Sequence, residues 1–421
     1  MSQRELQKYK VIRMAIEGKI TVREAAEVLG LSTRQVKRLK QSVRERGAKG
    51  VIHGNSQQPS PKRLSQGVRD RVVELAMGRY KGFNDTQMWE KLTEVERLPL
   101  SRDTLRVILR KAGIRWTAKR RAPRHRSRRE RKPQEGVMLQ LDGSPHAWLE
   151  DRGPALCLIS AIDDATNTIP WASFEEIEDS AGYLGLLREI ITRHGIPLSV
   201  YTDRHGVFKV TRKEWTREEE LAGRQQPTQV ARALEELGIE LIPAGSPQAK
   251  GRVERLFGTL QDRLISELRL ANITSRDAAN EFLQHTFLPA HNQRFGRQAT
   301  NAQKAYRTLP RGLNLDTILC FAYESVVNND NTVRIDNRII DIPPGPGGRS
   351  YAKARVITKQ LLDGSWRVYH HDKLIATAPP AQSGAPLRAL TNPRPGSKKH
   401  LAWVNFHSKP NSQGVTDSFS S

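Results

Sequence analysis

Apolar positions follow three successive rhythms along the chain. To about residue 115 they recur three and four apart, the spacing of amphipathic helices. From residue 136 short continuous apolar runs alternate with helical stretches, and past residue 320 short β-like runs are divided by turn residues. In the first region, Thr21-Val-Arg-Glu-Ala-Ala-Glu-Val-Leu-Gly30 predicts a helix with Thr21 as cap and Glu24 three residues on, a capping box. Gly30-Leu-Ser turns the chain, and Ser32 or Thr33 opens a second helix over 34–46. Ala25, Val28 and Leu29 form one apolar face; Val36, Leu39 and Val43 form the other. Two short helices across a glycine turn make a helix-turn-helix, here within a domain over 1–58. A linker at 59–62 leads to a second helical, helix-turn-helix-like unit over 63–116, with Val68, Val72, Val73 and Leu75 in its first helix and Ser101 capping its last.

In the second region, Val137 to Asp142 predicts a buried strand ending in a carboxylate, Leu156 to Ile162 a second, and 168–175 a third returning across a turn at Asn167. A helix over 181–194 follows, then a strand from Leu198 to Thr202 that leads into Asp203. Helix 229–237, strand 239–242 and a long helix from about 250 to 270 complete the pattern. Three meandering strands followed by alternating helices and strands describe an α/β domain, a mixed sheet covered by helices, over 135–310. Over 320–380 the runs at 324–327, 332–335, 338–342, 354–357 and 366–369 suggest a small C-terminal β-barrel. The tail, 381–421, is rich in Ser, Pro, Lys and Gly and is expected to be disordered.

Composition narrows the partner. The 421 residues carry 69 Lys+Arg against 45 Asp+Glu, a net charge of +24, which favours a polyanion and salt-dependent binding. The second helix of the helix-turn-helix presents Arg34, Gln35, Lys37 and Arg38, as a helix entering the major groove should. A basic linker over 117–134 includes Lys119, Arg120 and Arg121 and can neutralise several phosphates. A solvated face and a solvated linker are the plainer readings of both. No long apolar run suggests a membrane span, and MSQRELQKYK lacks the apolar core of a secretory signal, so the expected setting is a cytoplasm, in association with the nucleoid. Cys157 and Cys320 are too isolated for a disulfide framework or a zinc site and read as small buried hydrophobes.

The acids supply candidate chemistry. Asp142 and Asp203 each end a strand, where α/β sheets place ligand sites. Glu254 lies one turn into the helix that follows the loop Ala244-Gly-Ser-Pro-Gln-Ala-Lys-Gly251. If the strands are neighbours and the helix lies over their ends, three oxygen donors converge. Such donors suit Mg²⁺ (or Mn²⁺), and two ions about 3.5–4 Å apart serve phosphodiester exchange. Asp163 and Asp164 also follow a strand and are the alternatives to Asp142. Lys250, Arg252 and Arg255 flank Glu254 and are candidates for holding DNA phosphates.

Leu139-Gln-Leu-Asp-Gly, Tyr201-Thr-Asp-Arg-His-Gly-Val-Phe208 and Ser246-Pro-Gln-Ala-Lys-Gly-Arg-Val-Glu254 resemble the three signature segments of the retroviral-integrase-like DDE transposases. The likeness spans 135–310 and, with the helix-turn-helix units, extends over most of the chain toward bacterial insertion-sequence transposases. It implies a ribonuclease H-like core in which Asp142, Asp203 and Glu254 bind two catalytic metal ions. It further implies water attack that frees a 3′-OH, attack by that 3′-OH on target DNA, and a homo-oligomer holding two terminal inverted repeats. The resemblance favours Asp142 over Asp163 and Asp164 as the first ligand, and Lys250 as a phosphate contact. It also makes His291-Asn-Gln-Arg-Phe-Gly296 a stabilising segment after the core. Two departures stand out: Arg204-His205-Gly206 follows the second Asp where many relatives carry Asn-Gly, and 51 positions separate Asp203 from Glu254. The charged segment 209–226 accounts for the excess as a surface insertion. His205 either touches DNA or makes a local turn contact. Competing readings are a DNA-binding regulator with a silent integrase-like domain and a hydrolytic nuclease of the same fold.

Overall fold

The computed structural model describes residues 2–53, 64–115, 130–210, 215, 217–223, 225–244, 251–335 and 338–380. Most of the basic linker, including Lys119, Arg120 and Arg121, lies outside them, as do Lys250 and the tail over 381–421. The chain divides into two compact units, Met1–Val72 and Val73–Ser421.

In the first unit, α1 (Gln3–Ile16), α2 (Val22–Leu29) and α3 (Thr33–Arg46) each open on a capping box, formed by Ser2 with Glu5, Thr21 with Glu24, and Ser32 with Gln35. Two otherwise unpaired N–H groups are satisfied at each start. Gly30 ends α2 at φ +60°, a left-handed conformation that makes the tight turn into α3. Ala25 and Ala26 are small enough to bring α2 close to its neighbours, and with Ile12, Ala15, Val36, Val43 and Val51 they form the core.

Helix α4 (Gln66–Met77) spans the boundary between units. Next come α5 (Asp85–Glu94), capped by Asn84, and α6 (Arg102–Lys111), capped by Ser101. Strands β1 (Met138–His146), β2 (Leu156–Asp163) and β3 (Ala172–Glu175) meander, with the turn before β3 made by Asn167 at φ +63°. Then α7 (Ser180–His194), β4 (Ser199–Thr202), α8 (Arg217–Ala222), α9 (Gln229–Glu236), β5 (Glu240–Pro243) and α10 (Gly251–Leu270) follow. The sheet order is β3-β2-β1-β4-β5, with β1 antiparallel to β2 and parallel to β4, and β4 parallel to β5.

Both sheet faces are covered. Leu139 and Leu141 of β1 point toward α7 and α9, joining Leu187, Ile190, Val230 and Leu234. On the opposite face Val253, Phe257, Leu260 and Leu264 of α10 pack with Leu156, Leu158 and Ile162 of β2. Helix α11 (Arg276–Phe282), a π-helical turn at Leu283–Phe287 and α12 (Leu288–Phe295) extend that layer. Helix α5 is fastened to α10: Asn84 donates to Asp262, Gln87 to the Arg263 carbonyl at 3.1 Å, and Arg263 to Glu90 at 2.8 and 3.1 Å.

Strands β6 (Phe321–Val326), β7 (Thr332–Ile335), β8 (Arg338–Asp341), β9 (Arg355–Gln360), β10 (Trp366–His370) and β11 (Lys373–Ala378) form the last part. The expected small barrel is not confirmed, since among the described residues the sheets are not closed. The strands make a four-stranded sheet, β11-β10-β9-β6, and a separate two-stranded one, β7-β8, around a shared core of Val333, Ile340, Val356 and Val368. β8 approaches β11 without pairing to it, so no ladder closes the sheets. No helix among the described residues is long and apolar enough to cross a membrane.

Candidate active site

Side chains alternate along β1, so Gln140, Asp142 and Ser144 share the face that α10 covers while Leu139 and Leu141 point away. Ser144 Oγ confirms the direction by accepting from Gln261 of α10 at 3.1 Å. The strand does not end at Asp142, as its apolar run suggested. Antiparallel pairing to β2 carries it on to His146, with Asp142 opposite Ser160. On its other side β1 outruns β4: Met138 lies beside Ser199, Leu139 beside Val200 and Gln140 beside Tyr201. Carrying that register two places further sets Asp142 beside Asp203, one strand spacing of about 4.8 Å away. The pairing itself stops at Gln140 and Tyr201, and β4 ends at Thr202, one residue before Asp203.

Asp203 holds the turn after β4, its Oδ1 accepting the His205 backbone N–H at 2.9 Å. His205 is exposed. Glu254 is exposed in the first turn of α10. Seven residues separate it from Gln261, and seven steps of about 100° return to within about 20° of the same stripe. Glu254 thus leaves α10 on the side that meets Ser144, about 10 Å nearer the helix start. Among the described residues no group of three or more His, Cys, Asp or Glu side chains is drawn together tightly enough to hold a metal ion.

Oxygen donors are the type that suits a hard divalent cation. Besides the carboxylates, two buried oxygens on Asp142's face, Gln140 Oε1 and Ser160 Oγ, have no hydrogen-bond partner. The alternatives to Asp142 are occupied otherwise. Asp163 Oδ1 accepts from the N–H groups of Ala165 and Thr166 at 3.0 and 2.8 Å, its Oδ2 from Gly136 at 2.8 Å, and burial pushes its carboxyl up. Asp164 is fully buried and accepts from Gln140 Nε2 at 2.8 Å, from the Lys132 N–H at 2.9 Å and from Arg252.

Residues 8–70 match the winged helix-turn-helix family. The chain is 37% identical over 373 residues to the y4bF protein of Sinorhizobium fredii, which carries a transposase name; the match covers 87% of this chain and 80% of that one. It is 30% identical to the transposase for insertion sequence IS1202 of Streptococcus pneumoniae, over 89% of this chain and 86% of the relative. This chain belongs to the insertion-sequence transposases.

Solved structures give weaker likenesses. The HTLV-2 integrase catalytic core domain in complex with magnesium is 17% identical, with a TM-score of 0.25 over 35% of this transposase and 82% of that chain. The simian T-cell lymphotropic virus intasome in complex with PP2A regulatory subunit B56 gamma is 14% identical, with a TM-score of 0.31 over 74% and 100%.

In the transposase's helix-turn-helix, Arg34, Lys37 and Arg38 are exposed on α3. Gln35 is exposed too, but its Oε1 is engaged in the cap, accepting from the Ser32 N–H at 3.0 Å. Arg252, expected at DNA phosphates, is turned inward, its side chain 12% exposed and paired with Asp164. Arg255 and Arg297 remain exposed nearby, within electrostatic reach of half-buried Arg131. Cys157 and Cys320 are free and buried, and burial raises both thiols. The segment after the core is a brace: Asn292 bonds the Ile169 backbone twice, N–H and C=O each at 2.8 Å, while His291 packs between Phe287 and Phe295. Sequence reasoning did not find Asp164's pairing or Glu178. The Glu178 carboxylate lies against Gly143, next to Asp142, and accepts from the buried Tyr183 hydroxyl at 2.7 Å.

Proposed function

We propose that this transposase binds the terminal inverted repeats of its insertion sequence, cleaves DNA strands there, and joins the freed 3′-OH ends to target DNA. Asp142, Asp203 and Glu254 are the proposed catalytic carboxylates. The observation that carries this reading is the parallel β1–β4 register, Met138 to Ser199 through Gln140 to Tyr201, which continued two places along both chains would bring Asp142 level with Asp203. The two-metal reading with Mg²⁺ or Mn²⁺ draws further support from the unpartnered oxygens of Gln140 and Ser160 beside them. Bound divalent ions would supply Lewis acidity to the scissile phosphate and its attacking and leaving oxygens.

The protein's own part is positioning. In this reading β1 carries Asp142, the end of β4 leads into Asp203, and the first turn of α10 carries Glu254. Arg255 and Arg297 offer phosphate contacts, α3 offers Arg34, Lys37 and Arg38 to a groove, and Lys119, Arg120, Arg121 and Lys250 are proposed as further DNA contacts. In the first step water attacks the phosphorus and a 3′-OH leaves. In the second that 3′-OH attacks a target phosphorus, forming the new phosphodiester and releasing the target's own 3′-OH. Two ends must be held together for joining, which calls for an oligomer on DNA.

The test uses the full chain with labelled element-end DNA and Mg²⁺ or Mn²⁺. Cleavage and joining are expected in the wild type and lost in Asp203→Asn and Glu254→Gln, while end binding persists. Full activity in those variants removes the carboxylates from the chemistry. Cleavage without joining identifies a hydrolytic nuclease, and binding without cleavage under any metal condition identifies a regulator.

A further inference from the structure

Nothing in apolar packing alone fixes how α10 is rotated or how far it has slid along the sheet. Val253, Phe257 and Leu260 make non-directional contacts that a small shift would largely preserve. For Glu254 to serve with Asp142 as proposed above, α10 must hold one rotation and one height. Besides the bonds to α5, two polar contacts tie α10 to the side of the sheet. Near its middle, Gln261 bonds Ser144. At its start, Arg252 reaches the buried Asp164 carboxylate, whose same oxygen, Oδ1, accepts from Gln140 Nε2 at 2.8 Å.

We propose that Asp164 is a positioning residue that pins the first turn of α10 to β1 and so sets Glu254 against Asp142. Its two tethers sit symmetrically about the site: Gln140 is two residues before Asp142 on the same strand face, and Arg252 is two residues before Glu254. Asp164 itself is fixed independently of both. Its N–H donates to the Met138 carbonyl at 3.0 Å, and its Oδ2 accepts the Lys132 N–H at 2.9 Å. The Arg252 guanidinium is 12% exposed and the Asp164 side chain 0%, so the pair is directional and shielded from water. Such shielding makes it a rigid pin where a surface ion pair would be a loose one.

The inference rests on the carboxylate reading above, and its test separates the two. Full-length protein is titrated with Mn²⁺ alone, uptake being read by loss of the free-ion paramagnetic resonance signal, with thermal melting in parallel. Arg252→Gln is expected to raise the half-saturating Mn²⁺ concentration by about tenfold or more, the size of effect outer partners exert on a metal site. Arg252→Lys, which keeps a cation for Asp164, is expected to restore most of it. Because removing one member of a buried pair destabilises the fold, the double variant Asp164→Asn/Arg252→Gln removes both charges together. It is expected to melt higher than Arg252→Gln and still take up Mn²⁺ weakly. Wild-type uptake that Asp203→Asn abolishes, but that Arg252→Gln and the double variant leave unchanged, overturns the pin alone. If the wild type takes up no Mn²⁺, or Asp203→Asn takes up as much, the carboxylate reading fails and the pin with it.

Discussion

Replacing His291 should flatten the pH dependence of stability, and the size of the effect follows from its surroundings. The ring is 5% exposed, packs between Phe287 and Phe295 with centroids 5.7 and 4.8 Å away, and leaves Nδ1 without a partner. Burial, aided by the Arg263 charge, lowers its pKa from 6.5 to about 4. The folded state therefore resists a proton that the unfolded state takes up below 6.5. Stability from this group is whole above pH 6.5, is lost as pH falls toward 4, and changes no further below that. Full loss amounts to about 3 kcal/mol, and about 2 kcal/mol is gone by pH 5. Glu90, Glu94, Glu267, Lys91 and Arg294 line the cavity beside the ring in both proteins, so the comparison of wild type with His291→Leu isolates the histidine. By scanning calorimetry, the melting temperature of the wild type should fall between pH 7.5 and 5 by about 4–8 °C more than that of the variant. Parallel profiles in the two proteins would refute the claim that His291 is held neutral by burial.

Three further outcomes follow from the packing. Asn292→Ala strips the buried Ile169 N–H and C=O of their partner and should cost about 3 kcal/mol in urea denaturation; a loss below about 1 kcal/mol would show that water replaces the amide. A Cβ on Gly143 would lie 2.5 Å from the Glu178 carboxyl carbon, so Gly143→Ala should destabilise by about 1–3 kcal/mol, and Glu178→Ala should relieve most of that cost in the double variant. Lys37 and Arg34 are exposed on α3, and replacing both by Ala should reduce the slope of log affinity against log salt by about 1 to 2 in end-binding assays; an unchanged slope places the DNA elsewhere.

What the sequence disclosed was what neighbours in the chain decide. The capping box of α2, the opening of α3 at Ser32, the turn at Gly30 and the apolar runs of β1, β2 and β4 are written within a few residues, and they appear close to where the pattern placed them. Other features depend on distant partners. β11 was missed because the turn before it is made by His371 and Asp372 at φ +45° and +61°, residues that do not announce a hairpin as Asn-Gly does. Closure of the last sheets turns on whether β8 pairs with β11, which alternation along either strand does not report. Arg252 read as a phosphate ligand because it is basic beside Glu254, but its partner, Asp164, lies 88 residues away in sequence. Asp142 read as a strand end because its apolar run stops there, although pairing with β2 continues to His146.

The three carboxylates consequently differ in how they are held. Asp142 is fixed by ladders, since slipping β1 by one residue would turn its side chain to the α7 face and expose Leu139 and Leu141 to the wrong layer. Asp203 inherits that register through β4 and is steadied by its bond to the His205 N–H. Glu254 has no ladder. One residue of slip along α10 would rotate it by about 100°, away from the sheet, at the price of only partly rearranged apolar contacts. The proposed site, drawn from two strands and a helix, is thus least determined at its helical member, and the buried Arg252–Asp164 ion pair sits at the start of that helix.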